Sequence, residues 1–208
     1  MHALSRRKLL GLAAMAPVAA MLPAGEWAAA SVAGVGARER IRRRYFPDVT
    51  LVTQDNRKVR FYEDLVKGKI VTINFFYAVC EGICPTVMAN LAKVQKLLAN
   101  RAAPPVSMIS ITLKAEEDSP AVLKEYAAMH RIKPDWALLT GKPDDIERLR
   151  RSLGFTNLDP RLDRDKSQHI GNIRYGNEPL MEWAACAGMS KPEWIAENIS
   201  WVFPTGKS

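Results

Sequence analysis

The run Ile70-Val71-Thr72-Ile73-Asn74-Phe75-Phe76-Tyr77 constrains the fold more than any other stretch of the chain. It is short, β-branched and aromatic, with no polar alternation, and so reads as a strand buried on both faces of a parallel sheet. A helix follows at once, because Val87, Leu91, Val94 and Leu98 recur at helical spacing and Pro85 suits a first helical position. Between strand and helix stand Cys80-Glu81-Gly82-Ile83-Cys84. Two thiols placed there point to redox or soft-metal chemistry. Cys84 falls about where an N-cap sits, so its sulfur is expected to meet unpaired backbone N–H groups and the positive end of the helix dipole. A thiolate is favoured in that position, below the free thiol pKa of about 8.5.

The same alternation of elements continues along the chain. Val49–Val52 and Val59–Phe61, separated by Gln54-Asp55-Asn56, read as a hairpin. Val106–Leu113 is apolar enough for a second buried strand, and Ser119-Pro120 opens a helix with Leu123, Tyr126 and Ala127 inward. Trp136–Leu139 gives a short strand. The helix after it carries Asp144, Asp145 and Glu147 in front, Arg148, Arg150 and Arg151 behind, and stops at Gly154, an order that suits the dipole. Residues 157–168 read as a polar surface loop and His169–Tyr175 as another strand. Ser190-Lys191-Pro192-Glu193 resembles a capping box that opens a last helix with Trp194, Ile195 and Ile199 inward. Strands alternating with helices predict a layered α/β fold with a largely parallel centre.

At 208 residues the chain suits one domain plus a targeting segment. Met1–Lys8 carries Arg6, Arg7 and Lys8, Leu9–Leu22 is apolar and Ala-rich, and small residues follow. Ser5-Arg6-Arg7-Lys8-Leu9-Leu10 resembles the bacterial twin-arginine export signal. The expected division is an export signal over 1–33, a basic linker over 34–45 and the folded domain over 46–208. Export places the protein in a bacterial periplasm or on the outer face of the inner membrane. Membrane association would come only through an uncleaved signal, since the apolar stretch is well short of the roughly 20 residues a spanning helix needs. The formal charge of +8 is dispersed except at Arg38, Arg40, Arg42, Arg43 and Arg44, and no nucleic-acid motif accompanies it. That arginine run fits a solvated linker or first helix, or a contact with an anionic surface or acidic partner. Three cysteines make no disulfide scaffold, and a bridge closing so small a loop as 80–84 would stabilise little. The pair is functional. Cys186, in an apolar setting, reads as a small buried hydrophobe or as a third redox thiol, and Met88, Met181 and Met189 as core filler.

A thiol pair at a strand-to-helix junction is the arrangement of thioredoxin-like folds, with a central mixed sheet flanked by helices. The run from Thr72 through Cys80-Glu81-Gly82-Ile83-Cys84-Pro85 resembles the signature of the Sco/SenC family. Ser110-Ile111-Thr112, Glu116-Glu117-Asp118-Ser119-Pro120 and Leu139-Thr140-Gly141 are similar to it as well, so the likeness spans roughly residues 46–172. The resemblance implies a copper site made of Cys80, Cys84 and a downstream histidine, matched here by His169. It also implies copper delivery to an apo-cuproprotein such as a respiratory oxidase subunit, or dithiol upkeep of that partner, with a thiol reductant protein to regenerate the pair. Thiolates select Cu(I) and imidazole tolerates Cu(II), and zinc would accept the same three ligands with water in a fourth position. His2 lies in the signal, and His130 at the exposed end of a helix, where the dipole accounts for it. Gln168 and Ile170 stand where the family commonly has aspartate and serine, so Asp163, Asp165 or a backbone carbonyl must orient the His169 ring. Two functions remain open: a metallochaperone, or a thiol-disulfide oxidoreductase in which Cys80 attacks and Cys84 resolves without metal.

Overall fold

The structure, a computed structural model, describes residues 36–80, 82–100, 104–165 and 171–204. Helix α1 (Ala37–Tyr45) leads into a hairpin of β1 (Thr50–Thr53) and β2 (Lys58–Arg60). A π-helical turn over Phe61–Val66 follows, then β3 (Ile70–Phe76), α2 (Cys84–Ala99), β4 (Val106–Thr112) and α3 (Pro120–Met129). The remainder comprises β5 (Trp136–Gly141), α4 (Pro143–Ser152), α5 (Pro160–Arg164), β6 (Asn172–Asn177), β7 (Glu182–Ala187) and α6 (Pro192–Ser200). The strands form one mixed seven-stranded sheet in the order β2-β1-β5-β4-β3-β6-β7. β3, β4 and β5 run parallel, while β1 joins β5 and β6 joins β3 antiparallel. The apolar run takes its expected place, with every residue of β3 buried.

Register divides the sheet into two faces. Thr72, Asn74 and Phe76 of β3 share one face with Tyr175 of β6, and α2 and α6 cover it: Asn74 donates to Met88 Sδ at 3.6 Å and the Tyr175 hydroxyl to Asn198 Oδ1 at 3.4 Å. Ile73 and Arg174, paired across β3 and β6, look the other way, as does Phe75, whose ring meets Phe155 at 4.9 Å. Under α2 a buried relay links three strands. Trp136 Nε1 donates to Ser110 Oγ at 2.8 Å, the Ser110 hydroxyl to Asn74 Oδ1 at 2.5 Å, and the Asn74 amide to Met88. Buried polar groups are tolerable only when paired, so this relay fixes how α2 sits on the sheet.

Several expectations change. Of the two placements expected for the arginine run the first helix holds, so the 34–45 linker shortens to the residues before Ala37; the helix is docked through Arg38 to Glu178 and through the Arg42 guanidinium over the Tyr62 ring. The loop expected over 157–168 contains α5, which Asp159 caps by accepting from Arg161 N at 2.9 Å. Strand β7 had little signal in its Ala-rich sequence and exists through pairing with β6. In α6 the cap position is Lys191, no side chain caps it, and Trp194 points to solvent while Ile195, Ala196 and Ile199 are buried. Gly154, with φ +72°, ends α4 as expected. No described helix is long and apolar enough to cross a membrane.

Candidate functional site

The thiols lie at the carboxyl end of β3, where ligand sites of parallel sheets gather. The strand's exit is clamped by Asp118, which is 1% exposed. Its Oδ2 accepts from Ala78 N at 3.0 Å and, closely, from the Thr112 hydroxyl at the end of β4. Ser119, the next residue, caps α3 by accepting from Val122 N at 3.3 Å. One carboxylate thus ties together the ends of two central strands, two residues before Cys80. Sequence reasoning quoted Asp118 only within a family likeness and missed this role; an acidic residue just ahead of a capping serine was the available signal.

The two sulfurs differ sharply. Cys84 is 1% exposed and is the first residue of α2 rather than its cap, which is Ile83. Burial, and then its hydrogen bond to Cys80, pushes its thiol up to about 12. Cys80 is half-buried. Burial alone would raise its pKa, but donors outweigh it: the Cys84 thiol, the Tyr77 hydroxyl and the backbone N–H groups of Cys84 and Gly82 all favour the anion, and the thiol lies below its ordinary value. The expected thiolate therefore belongs to Cys80, not Cys84. The N–H groups left unpaired at the helix start serve the neighbouring sulfur, while packing removes Cys84 from water.

The surrounding rings follow the same charge. Tyr77, donating to Cys80 and buried, has its phenol well above the ordinary range, and the Lys114 ammonium stands 4.8 Å from its ring centroid. Tyr126 is raised by burial and by the nearby thiols. His130 is the C-cap of α3, the helix end expected for it; its ring lies 4.2 Å from that of Tyr126, and burial lowers its pKa. Cys186 on β7 lies opposite Ile173, buried and pushed up to about 11 by that burial, as a small hydrophobe would be. All three cysteines are free thiols.

His169 lies outside the described residues. Among the described residues no group of three or more His, Cys, Asp or Glu side chains is arranged to hold a metal. The residues that flank the His169 segment do reach the thiol corner. The charge of Asp165 acts on Tyr77, and at Gly171 an added Cβ would come within 2.5 Å of Ile83 Cδ1, the residue before Cys84. Gly188 N donates to Gly171 O at 2.8 Å, and Asn90 of α2 donates to Gly188 O at 2.9 Å, bracing this end of β6 against α2. Asp163, one of the residues expected to orient the histidine, is committed elsewhere. Arg150 grips it with two bonds of 2.7 and 2.8 Å, and Asn157 N donates to it at 2.7 Å, which holds its carboxyl far below the usual range.

Comparison with known proteins is consistent with this geometry. The SCO1/SenC family profile matches residues 38–173, well over half of the chain. A Bacillus subtilis protein named as an SCO1 homolog is 33% identical over 93 residues, covering 44% of this chain and 47% of that protein. The chain spans about half the length of the curated relatives it matches. Bradyrhizobium japonicum ScoI, solved with copper bound, superposes with a TM-score of 0.58 at 24% identity over 74% of this chain and 96% of its own. BsSco, described as a member of the Sco family of cytochrome c oxidase assembly proteins with a disulfide switch, gives 0.60 at 24% identity over 74% and 90%. At that identity the two structural likenesses establish the thioredoxin-like fold.

Proposed function

Because the chain belongs to the SCO1/SenC family, we propose that it binds copper through Cys80, Cys84 and His169 and passes it to an apo-cuproprotein such as a respiratory oxidase subunit. The observation that carries this reading is the prepared thiolate: Cys80 sits among four donors at a clamped strand end, with Cys84 beside it. A thiolate pair suits a soft ion, and the copper held by the Bradyrhizobium relative supports that choice. The flanks of the His169 segment, Asp165 acting on Tyr77 and Gly171 packing on Ile83, support a third ligand from that segment. Copper here is cargo. A partner's soft ligands displace the cysteines one at a time, and the dispersed basic surface favours an acidic partner. The twin-arginine-like segment supports export to a bacterial periplasm.

One observation favours a second reading. A half-exposed low-pKa thiol followed by a buried high-pKa thiol is the asymmetry of attacking and resolving cysteines. In that reaction the Cys80 thiolate attacks a substrate disulfide and releases one thiolate. Cys84, losing its proton, then attacks the Cys80 sulfur and releases the second, leaving a Cys80–Cys84 disulfide for an external thiol reductant protein to restore.

Anaerobic reduction followed by copper titration separates the two. One copper per chain with two thiols protected from alkylation is the expected result, and His169→Ala is expected to weaken copper retention roughly a hundredfold, within the range for losing a ligand or its support. Turnover of a disulfide substrate with no retained copper moves the assignment to the reductase. Copper binding untouched by His169→Ala removes the three-ligand site.

A further inference from the structure

On the sheet face opposite α2 lies a groove that the thiol chemistry does not use. It encloses about 350 Å3, a size within the roughly 300–1,000 Å3 of small-molecule sites. Ile41 and Tyr45 of α1, Ile73 of β3, Leu153 after α4 and Trp183 of β7 line it, and Arg174 of β6 is the charged group among them. The register that pairs Ile73 with Arg174, and Gly176 with Trp183, puts these strand residues on one side of the sheet, away from Asn74 and its contact with α2.

The one charged group in this apolar concavity has no counterion among the described residues. The Arg174 guanidinium has five N–H groups. Its Nη2 donates to Gly154 O at 3.3 Å and its charge lies 5.6 Å from the Phe155 ring centroid, yet no carboxylate among the described residues pairs with it. Burial draws its pKa below the ordinary arginine value, a sign of a charge without an adequate counterion. Trp183 Nε1 is the single buried side-chain nitrogen or oxygen among the described residues with no hydrogen-bond partner. The other buried side-chain nitrogens and oxygens of the described residues are satisfied, so the guanidinium, with one carbonyl for its five N–H groups, marks the place where an external acceptor would be stabilising.

We propose that this groove binds a small amphipathic monocarboxylate, its carboxylate on Arg174 and its apolar body against Ile41, Ile73 and the Trp183 ring. Apolar walls alone would accept any hydrophobe. The guanidinium selects the anion, because a carboxylate matches its planar fork and a hydroxyl or an amine does not. The inference stands apart from the copper reading, since neither Cys80 nor Cys84 lines the groove.

Calorimetric titration of the full chain with decanoate, decanol and decylamine tests it. Saturable one-site binding of decanoate is expected, roughly tenfold or more tighter than decanol as one charge-assisted bond implies, with decylamine not binding. Arg174→Met keeps the stem and is expected to reduce decanoate to the affinity of decanol. Trp183→Phe keeps an aromatic wall, and a smaller loss of decanoate affinity is expected. Absence of saturable decanoate binding overturns the assignment. Equal affinity for decanoate and decanol does so as well, and assigns the groove to a purely apolar occupant. Decanoate binding unchanged in Arg174→Met also overturns it. The comparison of ligands on the unmodified chain decides the question even if that variant fails to fold.

Discussion

The two faces of the sheet treat their polar groups in opposite ways. Under α2 and around the thiols the buried side-chain donors of the described residues have acceptors, Trp136 on Ser110, Ser110 on Asn74, Asn74 on Met88 and Thr112 on Asp118, and Asp118 takes the Ala78 N–H as well. Across the sheet, beside α1, the Trp183 indole donates to nothing and Arg174 has one carbonyl and one ring. A tryptophan on each face makes the contrast concrete. The satisfied face holds one geometry, because every alternative arrangement breaks a bond in a poorly solvated interior. That rigidity lets the Cys80 thiolate be prepared before any ion or substrate arrives. The other face is not closed on itself: the Arg174 guanidinium keeps N–H groups that a ligand can use, while the Trp183 N–H stays buried.

The sharpest way to break this contrast is thiol reactivity. With the pair reduced, an alkylating agent at pH 7 is expected to modify Cys80 at least about a hundredfold faster than Cys84 or Cys186, read by mass spectrometry of quenched samples, because only the thiolate reacts. A lowered Cys80 pKa means that more of it is thiolate at a given pH than of an ordinary thiol. Its rate should therefore rise less steeply between pH 7 and 9 than that of a free thiol. Tyr77→Phe removes one donor to the anion and is expected to restore the steeper rise and slow the reaction at pH 7 roughly three- to tenfold. Equal rates at the two motif cysteines would mean that the donors around Cys80 do not select it.

A second test attacks the clamp. Asp118→Ala strands the Ala78 N–H and the Thr112 hydroxyl in a buried site and is expected to cost about 2–4 kcal/mol in denaturant unfolding. A loss below about 0.5 kcal/mol would show that the strand end is held by packing alone. The smallest effects come from the two indoles. Trp136→Phe leaves Ser110 Oγ without its donor and is expected to destabilise by about 1–3 kcal/mol. Trp183→Phe removes an N–H that has no partner and should stay within about 0.5 kcal/mol of the parent. Similar losses at both positions would erase the distinction between the faces.

Much of this was legible beforehand. The apolar run of β3, the helix after Pro85 and the Gly154 stop were readable because local periodicity and turn chemistry specify them. Strand β7 was not, since an Ala-rich segment becomes a strand only when a neighbour offers a ladder. Asp163 read as a candidate partner for a histidine because sequence distance is a poor guide to which cation a carboxylate will meet. In the fold Arg150, thirteen positions back, takes both of its oxygens.

Sequence by itself determined the layered α/β class, the strand-to-helix junction that brings Cys80 and Cys84 together, and the family to which those residues answer. The class and the junction follow from periodicity and spacing, which act over a few residues at a time, and the family from the likeness of the motif residues to its signature. Only the tertiary structure decided which sulfur carries the charge, which carboxylate clamps the strand end and which face of the sheet keeps unpaired donors. Burial and hydrogen-bond supply are properties of the packed whole: Cys84 is silenced by what covers it, and Cys80 is activated by donors that include the helix start of its own partner.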